Sequence, residues 1–216
     1  WDHKKNAFKI WFVVVGLFVL IWLVRFVKNV LRWLPDIDKI KDMTFSQATI
    51  IQDRKGNELY KLFEENREYI TYDKISINMV NAIVAIEDQR YRQHNWLDPM
   101  WILRAWIRWV FHPGQRLQWA STIPQQLVRN LLLSLDRKVE RKLKEIILTS
   151  RLDGSIEKRI RQEKWKISSE DLRKEMKKRT LELYLNYISF WNNAFGIEAA
   201  AKTYFDISAK NLTVLQ

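Results

Sequence analysis

The chain has 216 residues, 47% of them hydrophobic and 29% charged, which allows one domain with its own core plus a further segment. The formal net charge of +12 favours a polyanionic partner: nucleic acid, an anionic membrane surface or a phosphorylated substrate. The absence of cysteine excludes a disulfide framework and a thiolate metal site. The 11 tryptophans and 5 glycines are unusual counts, because a chain of this length ordinarily has about 15 glycines.

The first element is an uncharged apolar run from Ile10 to Val24. It is short for a membrane span of about 20 residues, but Lys9 and Arg25 at its ends can extend toward the membrane surfaces. A buried core helix and a secretory signal are the alternatives. The lack of a small-residue cleavage site favours a membrane anchor. Cations flank the run on both sides, so the positive-inside rule does not fix its orientation. Pro35 ends the helical pattern and begins a polar linker.

The rest of the chain predicts a mostly helical domain. Ala48–Gln52 and Glu58–Phe63 flank a turn at Asp53–Asn57 and predict a short β-hairpin. Apolar residues at helical spacing predict helices over Ser76–Arg92, Trp101–Phe111, Gln125–Leu135, Lys138–Leu152, Leu172–Ser189 and Ile197–Tyr204.

Glu87 is the first candidate catalytic residue. It follows the apolar turn Ile83–Ile86, so we expect partial desolvation, which raises the pKa of a carboxylate toward the range useful for proton transfer. The alternative is an exposed glutamate with no role. Asp88 is predicted to pair with Arg92 on the same helix. His94 is a candidate ligand or base, and local hydrogen bonding is the simpler interpretation.

A second block runs from Ser121 to Gln126. Ser121 or Thr122 is predicted to cap a helix whose first turn contains Pro124. A helix N-terminus with hydroxyl and amide groups also suits an anionic sugar-phosphate.

The third block, Arg141–Glu145, and two arginines before it supply cations and a carboxylate. Arginine matches phosphate oxygens with a planar fork, and stabilising the charge of a leaving group is often the largest catalytic contribution. The alternative is a solvated basic face on which Arg141 bridges Glu145. The cations are Arg129, Arg137, Arg141 and Lys142. In a fourth block, Leu181–Asn186, we expect structural roles for Glu182, Tyr184 and Asn186, with a place in the wall of the site as the alternative.

In order and spacing, the blocks Glu87–His94, Ser121–Gln126, Arg141–Glu145 and Leu181–Asn186 resemble the peptidoglycan glycosyltransferase domain (glycosyltransferase family 51). That domain occurs in class A penicillin-binding proteins and monofunctional transglycosylases. The resemblance covers roughly Ala48 to the end of the chain. It implies a mostly α, lysozyme-like domain with a short β-hairpin, preceded by an N-terminal transmembrane helix.

The resemblance also implies domain boundaries. Residues 1–34 would form a cytoplasmic stub and membrane anchor, 35–47 a linker, and 48–216 the glycosyltransferase domain outside the cytoplasmic membrane. A polar, charged segment at about 154–175 looks inserted relative to the family. We expect it to be helical in part and to form a solvated face, with a surface toward lipid headgroups as the alternative. Because the chain begins at Trp1 and stops within a hydrophobic stretch, we expect a fragment at both ends, with the domain truncated at its C-terminus.

The activity implied by the resemblance is polymerisation of lipid II into glycan strands by inverting transfer, with release of the lipid pyrophosphate. Glu87 matches the general base and Glu145 the second essential glutamate, which would orient cations, assist the leaving group or hold a divalent ion. The implied partners are lipid II, the growing glycan strand and the membrane. The resemblance leaves open whether cell-wall synthesis machinery is a partner and whether a divalent cation such as Mg²⁺ is required. It implies no organic cofactor. The matched substrate-binding residues are Asp88, His94, Ser121, Thr122, Gln125, Gln126, Arg129, Asn130, Arg137, Arg141 and Lys142.

Three alternative functions are set against this assignment. A membrane-anchored homologue without catalysis would act as a glycan-binding or lipid-binding scaffold. A lysozyme-like hydrolase would use Glu87 as a general acid and would not need the cations. Nucleic-acid binding would use the basic charge, but the sequence contains no reader motif.

Tryptophan stands at several positions where the family has glycine: Trp96, Trp119, Trp191 and, as a fourth case, Trp101. Glycine at such positions supplies a positive φ or a close backbone approach, and tryptophan there would cost about 1–3 kcal/mol of strain per site. Our hypothesis is that the source reads UGA as glycine while the translation wrote tryptophan. The alternative is a divergent or inactive homologue with an aromatic-lined groove.

Overall fold

The computed structural model describes residues 2–32, 34–35, 49–56, 58–62, 66–100, 107, 111, 121–133 and 138–216. This part of the chain is mostly helical, as predicted, and includes two pairs of short strands. The helices are α1 (Asp2–Arg32), α2 (Ile77–Glu87), α3 (Ile123–Leu132), α4 (Lys138–Glu163), α5 (Ser169–Tyr187) and α6 (Ile197–Phe205). The strands are β1 (Thr49–Gln52), β2 (Glu58–Leu62), β3 (Asn66–Arg67) and β4 (Ala194–Phe195).

Helix α1 is longer than the apolar run that predicted it. Its stretch Val14–Arg32 has a mean hydropathy of 2.1 and is long and apolar enough, by length and composition, to cross a membrane. Only 6% of that stretch is buried. Near the end of α1, however, Val30 is 1% exposed, and Leu34 packs against the hydrophobic core. The end of the apolar helix is therefore attached to the folded domain.

The predicted hairpin is confirmed. β1 and β2 pair antiparallel, with a bulge between Ile51 and Gln52. The second pair, β3 with β4, is parallel and was not predicted. Strands of two residues are too short to show the alternation of side chains by which a strand is recognised in a sequence.

Several helix boundaries differ from the prediction. α2 begins at Ile77, after the N-cap Ser76, and ends at Glu87 instead of Arg92, because Asp88 leaves helical geometry at φ −159° and ψ 75°. α4 continues through Gly154 to Glu163, so the charged segment at 154–175 is helical except at residues 164–168. It is not simply a solvated face, since Ile160 and Leu172 are 1% and 5% exposed. The predicted linker after Pro35 and most of the predicted helix Trp101–Phe111 lie outside the described residues.

Helices α3, α4 and α5 pack against one another around the main core. Leu127 and Val128 of α3, Leu148 of α4 and Leu185 of α5 are all fully buried in it. This packing places the end of α2, where Glu87 lies, against the polar side chains of α3 and α5.

Candidate active site

Glu87 is held by a chain of hydrogen bonds that joins three helices. The side-chain amide of Gln126 on α3 donates from Nε2 to Glu87 Oε2 at 2.8 Å. The hydroxyl of Tyr184 on α5 donates to Gln126 Oε1 at 3.0 Å. Gln126 therefore has a fixed amide orientation, with its donor toward the carboxylate. Glu87 is half-buried, so its carboxylate is oriented but still reachable.

The pKa of Tyr184 reflects the charges around this carboxylate. Its burial and the negative charge of Glu87 raise the pKa of the Tyr184 phenol to about 12, while the positive charge of Arg129 opposes that rise. Glu87 and Arg129 are thus both within electrostatic reach of the same hydroxyl. Tyr184 stays protonated at neutral pH and can serve as the donor to Gln126.

A groove of about 770 Å³ opens beside Glu87, within the size range of small-molecule sites. Asn130 on α3 contributes to its wall, and the guanidinium of Arg67 lies 5.1 and 5.3 Å from the ring centroids of Tyr187 and Phe195. A groove with aromatic walls, one arginine and one carboxylate can hold a sugar ring next to a proton acceptor. Its aromatic lining consists of Tyr184, Tyr187, Phe190, Trp191 and Phe195.

Asp88 does not pair with Arg92, and that prediction is wrong. Because α2 ends at Glu87, the Asp88 carboxylate turns toward His94, whose Nε2 lies 2.8 and 3.0 Å from its two oxygens. Asp88 Oδ2 also accepts a hydrogen bond from the backbone N–H of Ile123 at 3.3 Å. Arg92 instead donates to Asn81 Oδ1 at 3.1 Å. Asp88 therefore supports the first turn of α3 from a distant loop.

His94 bonds locally, which agrees with the simpler interpretation of the sequence. Its side chain is buried at 6% exposure, and its Nδ1 lies 2.8 Å from the carbonyl oxygen of Asn95. Both ring nitrogens are thus within hydrogen-bond distance of oxygen atoms. The predicted substrate-binding role of Asp88 and His94 stays a prediction.

The hydroxyls of the second block have different partners from those expected. Thr122 occupies the N-cap position of α3 without a side-chain capping bond, and its hydroxyl donates to the Trp96 carbonyl at 2.9 Å. Ser121 Oγ accepts from Lys142 Nζ at 3.0 Å. The prediction that Ser121 or Thr122 caps α3 through its hydroxyl is therefore wrong, since the side chain at this end of α3 that accepts from the backbone is Asp88.

Glu145 and Lys142 form a buried polar cluster on α4. Glu145 is 2% exposed, and its Oε2 lies 2.8 Å from Lys142 Nζ. Lys142 also donates to Gln125 Oε1 at 3.0 Å. Arg141 Nε is 4.0 Å from Glu145 Oε1 and, among the described residues, makes no hydrogen bond. Lys142 is therefore the main partner of Glu145, and the partly exposed Arg141 side chain retains donors for another anion.

The two carboxylates are connected through one short segment. Gln126, which donates to Glu87, also donates to the backbone carbonyl of Ser121 at 3.2 Å, and the Ser121 hydroxyl accepts from the lysine paired with Glu145. The structure therefore brings together the second and third sequence blocks beside Glu87. Arg129 lies in the last turn of α3, and Arg137 is outside the described residues.

One oxygen of the Glu145 carboxylate, Oε2, is already paired with a cation, since Lys142 Nζ lies 2.8 Å from it. In the part of the chain that the structure describes, no group of three or more His, Asp or Glu side chains is placed to hold a metal ion.

Some residues of the fourth block belong to the scaffold and one belongs to the site. Glu182 accepts from the Tyr69 hydroxyl at 2.6 Å and from the Tyr72 backbone N–H at 2.8 Å. Asn186, fully buried, exchanges two hydrogen bonds with the backbone of Ile70. Both agree with the structural role that was predicted. Tyr184 differs, because it belongs to the hydrogen-bond chain of Glu87.

Sequence reasoning missed Arg67, Tyr187 and Phe195 as groove residues. Arg67 lies in a two-residue strand between the hairpin and the first block, where the sequence carries no motif. Tyr187 and Phe195 follow the fourth block, whose apolar residues were assigned to packing. The groove lining becomes visible only when β3 pairs with β4.

The backbone conformation differs among the tryptophans that stand where the family has glycine. Trp191 has a φ of +67° and is 85% exposed at the groove, so its backbone has the conformation that favours glycine. Trp96 is not among the described non-glycine residues with positive φ. Trp101 and Trp119 lie outside the described residues.

Comparisons with known proteins agree with the sequence blocks. A model of the family described as "Transglycosylase" matches residues 55–216. Penicillin-binding protein 1A of Aquifex aeolicus (strain VF5) is 35% identical over 204 residues, covering 94% of this chain and 25% of the relative. Penicillin-binding protein 1A of Escherichia coli (strain K12) is 35% identical over 181 residues, covering 84% and 19%.

Penicillin-binding protein 1F of Bacillus subtilis (strain 168) is 29% identical over 211 residues, covering 98% of this chain and 27% of the relative. The chain thus spans about a quarter of the length of these relatives. Because the family model covers most of the sequence, including all four blocks, the chain belongs to the Transglycosylase family.

Proposed function

We propose that this chain is a peptidoglycan glycosyltransferase that polymerises lipid II into glycan strands by inverting transfer. The observation that carries the proposal is the Glu87 carboxylate, which Gln126 and Tyr184 orient beside an aromatic groove in a chain of the Transglycosylase family. A carboxylate that accepts one hydrogen bond and stays accessible has a free lone pair for a substrate proton.

In the proposed step, Glu87 accepts the proton of the acceptor's sugar hydroxyl as that oxygen attacks the anomeric carbon of the donor. The new glycosidic bond forms as the bond from the anomeric carbon to the pyrophosphate oxygen breaks, and the electron pair leaves with the pyrophosphate. A single displacement inverts the anomeric centre. Gln126 holds the carboxylate in position, and the proton passes from Glu87 to solvent after transfer.

The departing lipid pyrophosphate needs positive charge near its oxygens. We assign this role to Arg129 and Arg141, with Arg137 as a further candidate from the sequence. Lys142 is engaged by Glu145, Gln125 and Ser121, and it contributes as a fixed charge at the edge of the site. Glu145 then acts by orienting Lys142, and the proposed step uses no metal ion.

Other side chains matched to the family either form part of the proposed binding surface or support it. Asn130 is exposed at the groove, so its amide is available to a sugar hydroxyl. Asp88, His94 and Thr122 already bond to protein groups, so we assign them the positioning of the segments on either side of Glu87.

For the chain as a whole, we propose a lysozyme-like domain held by α1 as a single-pass anchor in the cytoplasmic membrane, with the domain on the extracytoplasmic side. The support is the length and hydropathy of the apolar stretch Val14–Arg32 and its exposure. An anchored enzyme remains at the surface where its lipid-linked substrate and the growing glycan strand reside. Cell-wall synthesis machinery is a further proposed partner.

The test uses the full chain in liposomes that contain lipid II. We expect glycan polymer and lipid pyrophosphate from the natural chain, and a loss of about 100-fold or more in turnover for Glu87→Gln, since general-base catalysis contributes about 10²–10⁴-fold. Glu170→Gln is the matched control, because Glu170 is an exposed glutamate on α5 paired with Lys174.

Equal turnover for Glu87→Gln and the control would overturn the role of Glu87. Cleavage of finished glycan without polymer formation would identify a hydrolase, and binding without turnover would identify a scaffold. The anchor is tested in the same liposomes, since a chain that lacks residues 2–24 but keeps the buried Val30 should stay in the supernatant when the vesicles are pelleted.

A further inference from the structure

The end of α4 and the start of α5 form a helical hairpin over residues 154–178, which we call the basic hairpin. A short turn at residues 164–168 joins the two helices. The backbone N–H of Lys164 donates to the Ile160 carbonyl at 2.8 Å on the α4 side of the turn. On the other side, the Ser168 hydroxyl caps the N-terminus of α5. Hydrogen bonds therefore hold the turn at both ends.

The surface of the basic hairpin carries excess positive charge. Residues 164–178 contain six lysine and arginine residues and three carboxylates. A second depression, of about 870 Å³ and lined in part by Arg92 and Arg173, adjoins the first and shares two of its lysines. Glu87 lines neither depression, so this surface is separate from the proposed active site. The first depression, of about 540 Å³, is open and is lined by Lys164, Lys166, Lys174 and Lys178.

The carboxylates of the basic hairpin neutralise only part of this charge. Lys174 Nζ lies 2.6 Å from Glu170 Oε1, and Lys164 Nζ lies 3.5 Å from Glu175 Oε2. Both lysines are exposed. Ion pairs at an exposed surface contribute little because water screens them. These lysines can therefore exchange a carboxylate for the phosphate of a partner at little cost.

Trp165 in the turn favours a membrane surface over a small soluble anion. Its side chain is 78% exposed, and Lys166 Nζ lies 4.4 Å from the centroid of its ring. Tryptophan with neighbouring lysines is typical of the membrane–water interface, where the ring lies at the level of the headgroups and the ammonium groups reach the surface. Lysine supplies a point charge on a flexible stem, which suits an array of mobile phosphates.

The basic hairpin is also connected to the proposed anchor. Helix α1 contacts α4, which forms the first half of the hairpin. Val30, near the end of α1, is buried at 1% exposure, so this end of the anchor is attached to the folded domain. An anchored domain stays close to the membrane surface, and the effective concentration of lipid headgroups around the hairpin is therefore high.

We propose that the basic hairpin is a second membrane contact, which binds the phosphate headgroups of anionic lipids beside the anchor α1. The inference rests on the proposed anchor and not on the proposed reaction. The lysines contact the phosphates, and Trp165 lies among the headgroups. A single membrane-spanning helix leaves the domain free to tilt, whereas two contacts fix how the domain faces the membrane.

The experiment uses the full chain in liposomes with one fluorescent probe. Since the natural chain has no cysteine, Gln162→Cys, at an exposed position in the last turn of α4, takes a single environment-sensitive dye. Lipids that carry a nitroxide on the headgroup quench a dye lying at the membrane surface. Liposomes of equal parts phosphatidylglycerol and phosphatidylcholine are compared with liposomes of phosphatidylcholine alone, so the charge of the headgroup is the variable.

Two sets of substitutions in the labelled chain test the lysines. The hairpin variant combines Lys164→Gln, Lys166→Gln, Lys174→Gln and Lys178→Gln. The matched control removes four exposed cations outside the hairpin, through Arg54→Gln, Lys55→Gln, Lys74→Gln and Lys210→Gln.

We expect stronger quenching of the natural hairpin in the anionic liposomes than in the neutral ones. The ratio of docked to free hairpin in anionic liposomes should fall about 10-fold or more in the hairpin variant, since each lysine near an anionic surface strengthens attachment about 5-fold. The control should change this ratio less than about 3-fold. Equal quenching in the two kinds of liposome, or an equal decrease in the two variants, would overturn the proposal.

Two further measurements separate the alternatives. A larger dye response to soluble polyphosphate than to anionic liposomes would assign the surface to a free anionic polymer and overturn the lipid contact. If the chain does not pellet with neutral liposomes, the proposed anchor fails, and pelleting with anionic liposomes then decides the hairpin contact alone. Circular dichroism checks the folding of both variants. If the hairpin variant does not fold, quenching of the natural hairpin in about 0.5 M NaCl replaces it, since salt screens exposed charges; quenching unchanged by salt would overturn the contact.

Discussion

Trp191 combines a bulky side chain with a backbone conformation suited to glycine. A left-handed backbone costs an L-residue about 1–2 kcal/mol. A glycine at the same position avoids this cost, but it loses more conformational freedom on folding, which offsets part of the gain. We therefore expect Trp191→Gly to raise the free energy of unfolding by about 1 kcal/mol, measured by urea denaturation. Trp165→Gly is the control, because Trp165 is likewise exposed, at 78%, but has no positive φ.

A lower stability of Trp191→Gly than of the control would contradict the strain argument. The codon gives a second measurement at the same residue. UGA at position 191 would agree with the hypothesis that the source reads this codon as glycine, and UGG would end it. The structure supports that hypothesis at Trp191 and not at Trp96, where no left-handed backbone occurs.

At the scale of residues, sequence patterns could predict which side chains carry charge but not which of them meet. Glu87 and Gln126 were both named, yet their 2.8 Å hydrogen bond depends on how α2 packs against α3. The Asp88 pairing was mispredicted because the i,i+4 rule assumes that the helix continues. Spacing along a sequence does not show where a helix ends and a loop begins, nor which distant groups the side chains of that loop will contact.

Helix α6 begins at a glycine whose environment excludes other residues. Gly196 has a φ of +86°, and a Cβ added there would lie 2.7 Å from the backbone oxygen of Asn186. Asn186 is itself fixed by bonds to Ile70, so it cannot move away. We expect Gly196→Ala to lower the free energy of unfolding by about 2 kcal/mol or more.

Gly154 provides the matched control. It lies within α4, and a Cβ added there would meet nothing within 4 Å. Gly154→Ala should raise the free energy of unfolding by about 0.5–1 kcal/mol, because alanine is the better helix former. Denaturant titration of both variants checks the pair; equal effects would mean that the close approach to Asn186 is not limiting.

At the scale of elements, the sequence predicted which helices exist better than where they end. The hairpin was found because its strands alternate around a turn with glycine, and α5 and α6 because their apolar positions repeat. α4 was cut short at Leu152 because Gly154 and a mostly charged sequence follow it. The apolar positions Leu152, Ile156 and Ile160 nevertheless continue at helical spacing, and they pack toward the interior.

At the scale of the whole molecule, the partial burial of Lys177 should make the free energy of unfolding depend on pH. The pKa of its ammonium is about 8 in the folded protein against an ordinary value of 10.5. Between these two values the unfolded chain binds more protons than the folded one, so the contribution of this group to the free energy of unfolding increases as pH rises. Below pH 8 both states are protonated, and the contribution is constant.

This sign gives a prediction for Lys177→Met, which lacks the titrating group while all others are shared. The free energy of unfolding of the natural chain minus that of Lys177→Met should increase from pH 8 to pH 10 and stay level from pH 6 to pH 7. Urea denaturation at each pH measures it, with Lys178→Met as the control for the same substitution at an exposed neighbouring position of α5. A difference that decreases as pH rises would mean that the folded protein favours the charged form of Lys177, and the cost of burying it would then be absent.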